Sequence, residues 1–559
     1  MSAKWMRILG IGALLLNVVM LVYFFHIKNS FLMDEIFSYG HANSTQGAFA
    51  VPQVDSHWNM LDFGRGLMNQ RLPGSFFHHY ITVQPAEAFR YEHIWENLAE
   101  GVHPPLFYVL LHTVCSFTPN VFSKWQGAIL NIPVWLILLW MLFKLAKSVL
   151  KDEYLSWMVV AFYAFSQAGL DTAIYIRGYL LQTLWAVCLI YQVIRLLQTC
   201  QDSWIRWLKI GLFSLAGMLT QYNSIVFSAI VTVLAMIVLA YQKEWKLLGK
   251  LAGVMLLSVY VFLLIFPQAI SVLAHSERGD EVRGFIMQSL PSSWAACWQF
   301  ISRALYPESY LTKLWSGSTS YWIIWYFGLL TIVLVKYQRH FKSYWIEWIG
   351  IVVLLMTAFV NLYMPPMKTY SIRYVMLLMP LATLVTISYI HEGVSYVFSH
   401  REQLGKWLML GLVVLNSVSV RFQSNSPYML YTKGENPFKD KHVLVVTMVP
   451  TKIYEMFDWF QTASTVEIWQ DLGENIVLPK KLIQTNDYIV HMNIDAEFLA
   501  YVGDSDANTP FKVGIIENSA LVAPLPVEEE YQNKIKFKNI VKKGQRFYDI
   551  FQISLENNV

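Results

Sequence analysis

Residues 6–39 read MRILGIGALLLNVVMLVYFFHIKNSFLMDEIFSY. The run from Met6 to about Phe25, behind the basic residues Lys4 and Arg7, is long enough to cross a bilayer, whereas the apolar core of a signal peptide is usually shorter. It reads as an uncleaved anchor. Ala48-Phe49-Ala50 mimics a cleavage site but lies too far beyond the run for ordinary processing. Within a few residues of the membrane come two adjacent acids, Asp34 and Glu35, where ionisable groups are costly unless they have a use.

Working outward, the composition fits the same setting. A chain of 559 residues that is 55% hydrophobic, 15% aromatic and only 14% charged cannot present an ordinary water-facing surface, so it is a polytopic membrane protein. The net charge of +4 is small, and the basic residues form short clusters between apolar runs, not one patch of the kind that binds nucleic acid. Of the cysteines, Cys115, Cys188 and Cys200 fall in or beside apolar runs and Cys297 stands alone, a pattern of neither disulfides nor metal ligands.

Apolar runs follow at roughly 104–118, 126–146, 155–173, 178–197, 207–220, 223–241, 250–270, 321–336, 345–364, 373–390 and 404–420. Basic loops (Lys144, Lys147 and Lys151; Arg195, Arg206 and Lys209; Lys243, Lys246 and Lys250; Lys336, Arg339 and Lys342; Arg401 and Lys406) recur at every second junction, which puts those junctions and the N-terminus in the cytoplasm. Asp34, the Tyr175–Tyr179 junction, Gln221-Tyr222-Asn223, the segment 271–320, the segment Lys368–Tyr374 and the tail then face outward. Parity fails at 104–118. Either this run dips in without crossing, giving eleven spans, or another part of 28–103 pairs with it, giving thirteen.

The expected architecture is an α-helical membrane domain over 1–420, with a first outer loop at 28–103 carrying interfacial helices and a second at 271–320. A small extracytoplasmic α/β domain follows over 421–559, with strands predicted near 443–447, 488–492, 513–516 and 546–553 and a helical pattern at 451–463. The first loop holds His41, His57, His78, His79, His93 and His103, but only the neighbours His78 and His79 come close to a ligand spacing, so solvated or interfacial histidines are the better reading.

Four groups of residues carry candidate chemistry. Asp34 and Glu35, read as lying on an extended turn, point in different directions; one is expected to act as a catalytic carboxylate while the other orients it or binds a divalent cation, and solvated acids are the plain alternative. In Gly101-Val102-His103-Pro104-Pro105 the prolines open a helix and fix how His103 is presented, as cap or as reactant. Arg177 with Tyr179, and Arg373 with Tyr374, put guanidinium forks at outward helix ends, where they can grip phosphate or snorkel to headgroups. Lys368 adds to that field. The 271–320 loop, with Arg278 and Arg283 in a mixed charge cluster, is either solvated or a lid over a lipid-linked substrate.

Taken in order, Asp34-Glu35 after the first helix, His103-Pro104-Pro105-Leu106, Arg177-Gly178-Tyr179, Arg373-Tyr374 and the long outer loop resemble the GT-C glycosyltransferases of the protein-mannosyltransferase and aminoarabinose-transferase type. The resemblance covers residues 1 to about 420. It implies a polyprenyl-phosphate sugar donor, an extracytoplasmic glycan, lipid or protein acceptor, Asp34 as the base acting on that acceptor, and Arg177 and Arg373 near the carrier phosphate. Arg278, Arg283 and Lys368 could assist, and a divalent cation at Glu35 stays open. Gln221-Tyr222-Asn223 departs from the histidine and tyrosine that relatives often show there. Rival readings are a lipid-linked polysaccharide polymerase or ligase, or a transporter or flippase; the latter would place charges near mid-span, whereas here they gather at one surface.

Overall fold

The computed structural model describes residues 3–28, 31–50, 65–100, 103–270, 344–363, 369–422, 436–447, 450–470, 485–492, 535–539 and 549–555. In chain order the helices are α1 (Ala3–Ile27), α2 (Met33–Asn43), α3 (Gly74–Ile81), α4 (Glu92–Glu100), α5 (Leu106–Ser116), α6 (Lys124–Leu150), α7 (Glu153–Ala164), α8 (Gln167–Ile174) and α9 (Tyr179–Thr199). They continue with α10 (Trp204–Met218), α11 (Asn223–Tyr241), α12 (Trp245–Ile265), α13 (Tyr344–Tyr363), α14 (Met379–Val397), α15 (Glu402–Phe422) and α16 (Phe457–Phe460). The strands are β1 (Arg71–Pro73), β2 (His442–Thr447), β3 (Thr465–Gln470), β4 (Tyr488–Met492), β5 (Ile535–Asn539) and β6 (Asp549–Leu555).

Two compact units form: one from residues 1–27, 102–107 and 127–428, the other from 28–101, 108–126 and 429–559. The second unit thus joins the loop after α1 to the tail. Among the described residues six helical stretches are long and apolar enough to cross a membrane: Ile8–Ile27, Lys124–Leu150, Tyr179–Thr199, Asn223–Tyr241, Trp245–Ile265 and Arg373–Ser395. The protein is a multi-pass α-helical membrane protein. Exposed Leu15, Val19, Ile237 and Leu256 on these helices are the apolar surface that lipid would cover. By contrast α5, with 11 residues, is only ~16 Å long. That is about half a hydrocarbon core, too short for the helix by itself to span one.

The run expected as one span at 155–173 is two helices, because the chain breaks between Ala164 and Gln167. Breaking a helix strands carbonyls at its C-terminus, and in lipid each must find a donor inside the protein. Asparagines on neighbouring spans supply them. Asn17 of α1 donates to the Ala164 carbonyl at 2.6 Å and accepts from Trp135 Nε1 at 2.7 Å. Asn416 of α15 reaches the Phe162 carbonyl at 3.4 Å. At the end of α8, Asn131 of α6 donates to the carbonyls of Ala173 and Tyr175 at 3.0 and 3.1 Å. Restarting α8 requires an N-cap, which Ser166 provides through its Oγ to the Gly169 amide at 3.0 Å.

The second unit holds a six-stranded sheet in the order β1-β3-β2-β4-β6-β5. β2 runs parallel to both β3 and β4, and the remaining pairs are antiparallel. β2, β4 and β6 fall where the alternating pattern predicted strands; 513–516 lies outside the described residues. The helical pattern at 451–463 is a 3-10 stretch, Pro450–Met456, running into α16. β1 comes from the first outer loop, pairing Arg71 with Glu467 and Pro73 with Thr465. An aromatic core packs beside the sheet: Tyr454 lies 4.7 Å from both Phe37 and Phe457, and Phe77 lies 4.9 Å from Phe457. Buried Tyr80 and Tyr454 place their hydroxyls on the carbonyls of Ala48 and Phe49 at 2.7 and 2.6 Å, which satisfies the polar end of each ring.

Candidate active site

In the membrane unit, α8 ends at the bend Tyr175-Ile176-Arg177-Gly178, and α9 begins at Tyr179. The Arg177 amide bonds the Tyr175 carbonyl at 2.9 Å, a tight turn that turns the Arg177 side chain inward, where only 4% of the residue is exposed. Gly127 of α6 lies so close to Ile176 that a methyl group there would collide with its side chain, which fixes the bend from one side. Gly178 lies against Thr220 and Gln221, so the Gln221-Tyr222-Asn223 junction borders the same bend.

Arg177 Nη2 lies 2.9 Å from His103 Nε2. A guanidinium can only donate, so this geometry makes Nε2 the acceptor and gives a neutral imidazole protonated at Nδ1. His103 is held there by the buried pair Pro104 and Pro105 and by the Leu106 amide, which donates to the Leu219 carbonyl at 2.8 Å. Tyr175 stacks on Tyr179, with ring centroids 5.9 Å apart and an interplanar angle of 7°. Tyr179 in turn meets Tyr374 edge-on at 6.3 Å.

Tyr374 belongs to the 3-10 stretch Thr369–Leu378, which packs against α8, α9 and α14. Arg373 Cζ sits 5.2 Å above the Tyr374 ring, and its Nη2 donates to Tyr374 Oη at 3.3 Å. The run at 373–390 therefore opens with a tighter coil than an α-helix, which brings Arg373 and Tyr374 toward the Arg177 bend. His103, Arg177, Tyr179, Arg373 and Tyr374 gather in one unit. Lys368, Arg278 and Arg283 lie outside the described residues.

Asp34 and Glu35 belong to the other unit, in the first turn of α2 and not on the extended turn expected from the sequence. Successive helical positions are rotated by ~100°, so the two acids have different surroundings: Asp34 is half-buried and Glu35 fully buried. Glu35 Oε2 accepts from Lys28 Nζ at 2.9 Å and from the Leu32 amide at 3.0 Å, closing the helix N-terminus on itself. Lys124 Nζ donates to the Lys28 carbonyl at 2.6 Å. Lys28 thus supplies the cation that Glu35 faces, and a metal ion would have to displace it. Further along α2, His41 Nδ1 sits 2.6 Å from the Phe37 carbonyl, and His93 Nε2 sits 3.0 Å from that of Ala42. Among the described residues no three His, Cys, Asp or Glu side chains gather closely enough to hold a metal ion.

The sequence reading passed over two residues of the site's surroundings. Lys28 looked like an ordinary flanking base. Asp171 is a buried carboxylate on α8, 2% exposed, whose Oδ1 accepts from Gln167 Nε2 at 2.8 Å. An acid inside an apolar run, six residues before an arginine, is a signal that could have singled it out.

No protein-family model and no curated protein matches the chain. Among solved structures it is similar to ArnT from Cupriavidus metallidurans bound to undecaprenyl phosphate, with 10% identity, 98% of each chain covered and a TM-score of 0.48. It is also similar to the archaeal oligosaccharyltransferase AglB from Archaeoglobus fulgidus in complex with an inhibitory peptide and a dolichol-phosphate, with 10% identity, 87% of this chain and 69% of that one covered, and a TM-score of 0.43.

Proposed function

We propose that the protein transfers a sugar from a polyprenyl-phosphate carrier to an extracytoplasmic acceptor. The observation that carries this reading is Arg177 beside His103, and Tyr175 stacked on Tyr179, which is edge-on to the Tyr374 that Arg373 overlies, inside one apolar helical unit. A guanidinium fork matches the oxygens of a phosphate, and a lipid-borne phosphate brings that group and an apolar tail in one molecule.

In the proposed reaction the Asp34 carboxylate takes the proton of an acceptor hydroxyl as that oxygen attacks the anomeric carbon. The bond from that carbon to the phosphate oxygen breaks, and polyprenyl phosphate leaves with the electron pair, stabilised by Arg177 and Arg373. Attack opposite the leaving group inverts the anomeric centre. Glu35, engaged by Lys28, acts as a positioning residue for the first turn of α2. The N-terminus is cytoplasmic and the tail extracytoplasmic in this scheme, as the basic loops require. A divalent cation, if the reaction uses one, would supply further charge at the phosphate; the residues argued for here need none at Glu35.

The test is direct transfer in vesicles from a radiolabelled polyprenyl-phosphate sugar, using envelope extract as acceptor. Asp34→Asn should lower the rate by ~10²- to 10⁴-fold with carrier binding unchanged. Arg177→Ala and Arg373→Ala should each weaken binding of undecaprenyl phosphate by ~10- to 100-fold, since each removes a charged hydrogen-bond donor worth ~1.5–3 kcal/mol. Wild-type rates in Asp34→Asn, or full carrier affinity in both arginine variants, would sink the assignment.

A further inference from the structure

The second unit contains an open cleft of about 570 Å3 lined by Ser75, His78, Asn120, Phe122, Gln461 and Thr462. Its volume is within the ~300–1,000 Å3 usual for small-ligand sites. Its chemistry is not usual for them. None of the described lining residues is a carboxylate, lysine or arginine, which disfavours recognition of phosphate, acidic sugars or basic peptides by charge. What lines it instead is two carboxamides, two hydroxyls, an imidazole, an aromatic ring and the aliphatic Val121; the Thr462 hydroxyl donates to the Trp459 carbonyl and accepts from Asn436, and the other polar groups supply both donors and acceptors. Neutral vicinal hydroxyl groups need that mixture, and the apolar C–H face of a sugar ring packs on an aromatic ring.

The walls are fixed by contacts outside the cleft. Gln461 Nε2 donates to the Asp458 carbonyl at 2.9 Å, while Oε1 meets His78 Nδ1 at 3.0 Å. Both groups are thereby oriented, and the second amide proton of Gln461 and Nε2 of His78 are left for a ligand. Asn120 sits in the left-handed region at φ 59°, its amide on the Val83 carbonyl at 2.9 Å. The Phe122 ring packs 4.7 Å from Phe31 and 4.8 Å from Tyr39, and Tyr39 Oη donates to the Ser123 carbonyl at 2.8 Å. Phe31 precedes α2 and Tyr39 lies on it, so one wall is mounted on the helix whose first turn carries Asp34. We infer that this cleft binds a neutral saccharide chain, the acceptor of the transfer. Its role as acceptor site rests on the proposed sugar transfer, whereas its affinity for saccharide does not.

Saturation-transfer difference NMR on the full chain in lipid nanodiscs, free of glycoside detergents that would occupy the cleft, tests it. The probes are mannotriose, cellotriose and chitotriose, with trigalacturonate as the anionic control. At least one neutral trisaccharide should bind, and trigalacturonate should not compete. Ser75→Trp, which fills the cleft from an exposed position, and Asn120→Gly, which removes the amide yet tolerates the left-handed backbone, should each weaken binding by ~10-fold or more, the equivalent of about one hydrogen bond. The cleft assignment is overturned if none of the three binds, or if both folded variants bind as wild type does. Undecaprenyl phosphate binding is measured on the same samples. Carrier binding without saccharide binding removes the cleft and keeps the transfer reading; saccharide binding without carrier binding keeps the cleft and removes the transfer reading.

Discussion

The ion pair at the start of α2 gives the sharpest quantitative expectation. Lys28 and Glu35 have side chains 1% and 0% exposed and approach to 2.9 Å. At an effective dielectric constant of ~20 their attraction is ~6 kcal/mol, against a desolvation penalty of several kcal/mol for each ion. The pair as a whole is therefore close to neutral relative to well-packed apolar residues, but removing either charge takes away the other's counter-ion at 2.9 Å. Lys28→Met or Glu35→Met should each cost ~3–5 kcal/mol, while the double variant should recover most of that loss. For a unit of this size, ~2–4 °C per kcal/mol corresponds to a fall of roughly 6–20 °C in Tm for the single variants. Thermal unfolding in nanodiscs, followed by intrinsic fluorescence, completes a double-mutant cycle. Transfer activity should follow the same cycle, lost in the singles and largely restored in the double, because Glu35 acts by holding the first turn and not by touching substrate. Additive losses in the cycle would refute the buried-pair argument. A dead but stable double variant would refute the positioning role and give Glu35 a place in the chemistry.

Other expectations follow from single contacts. Burial, and secondarily the charge of His93 with ring centroids 4.9 Å apart, push His112 of α5 down to about 4. Between that value and the ordinary 6.5 the unfolded chain binds the extra proton, so this contribution to stability is fully present above pH 6.5 and is lost as pH falls toward 4. Denaturation profiles should show the loss in wild type and a flatter profile in His112→Gln. At Gly40 an added methyl would enter the Tyr80 ring, so Gly40→Ala should destabilise the unit by ~1–3 kcal/mol in chemical unfolding. Asn131→Leu strands the Ala173 carbonyl and removes one donor from that of Tyr175, which keeps the Arg177 amide. It should cost ~1–3 kcal/mol in thermal unfolding and weaken undecaprenyl phosphate binding through the displaced bend.

What the sequence disclosed and what it withheld divide along a physical line. Hydropathy over 20 residues is a property of the segment itself, so α6, α9, α11 and α12 lie close to where their apolar runs predict them. The alternating stretches that became β2 and β4 were legible for the same reason. The break at Phe165–Ser166 was not, because both halves are apolar and what permits the break is two asparagines elsewhere in the chain, Asn17 and Asn416. Nor was β1, three residues whose strand character comes wholly from pairing with β3 almost 400 positions later. The chemistry divides the same way. Arg177, Arg373 and His103 could be picked out one by one as polar residues at helix ends, but that two of them touch and the third comes in on a neighbouring 3-10 stretch depends on the bend after α8. Asn17, Asn131 and Asn416 each look, within their own helix, like a polar blemish in an apolar run. Asn17 and Asn416 are better read as the groups that satisfy the break before α8, and Asn131 as the one that supports the arginine-bearing turn after it, so a search for sites in such chains should weigh the lone amides within apolar helices along with the charges at their ends.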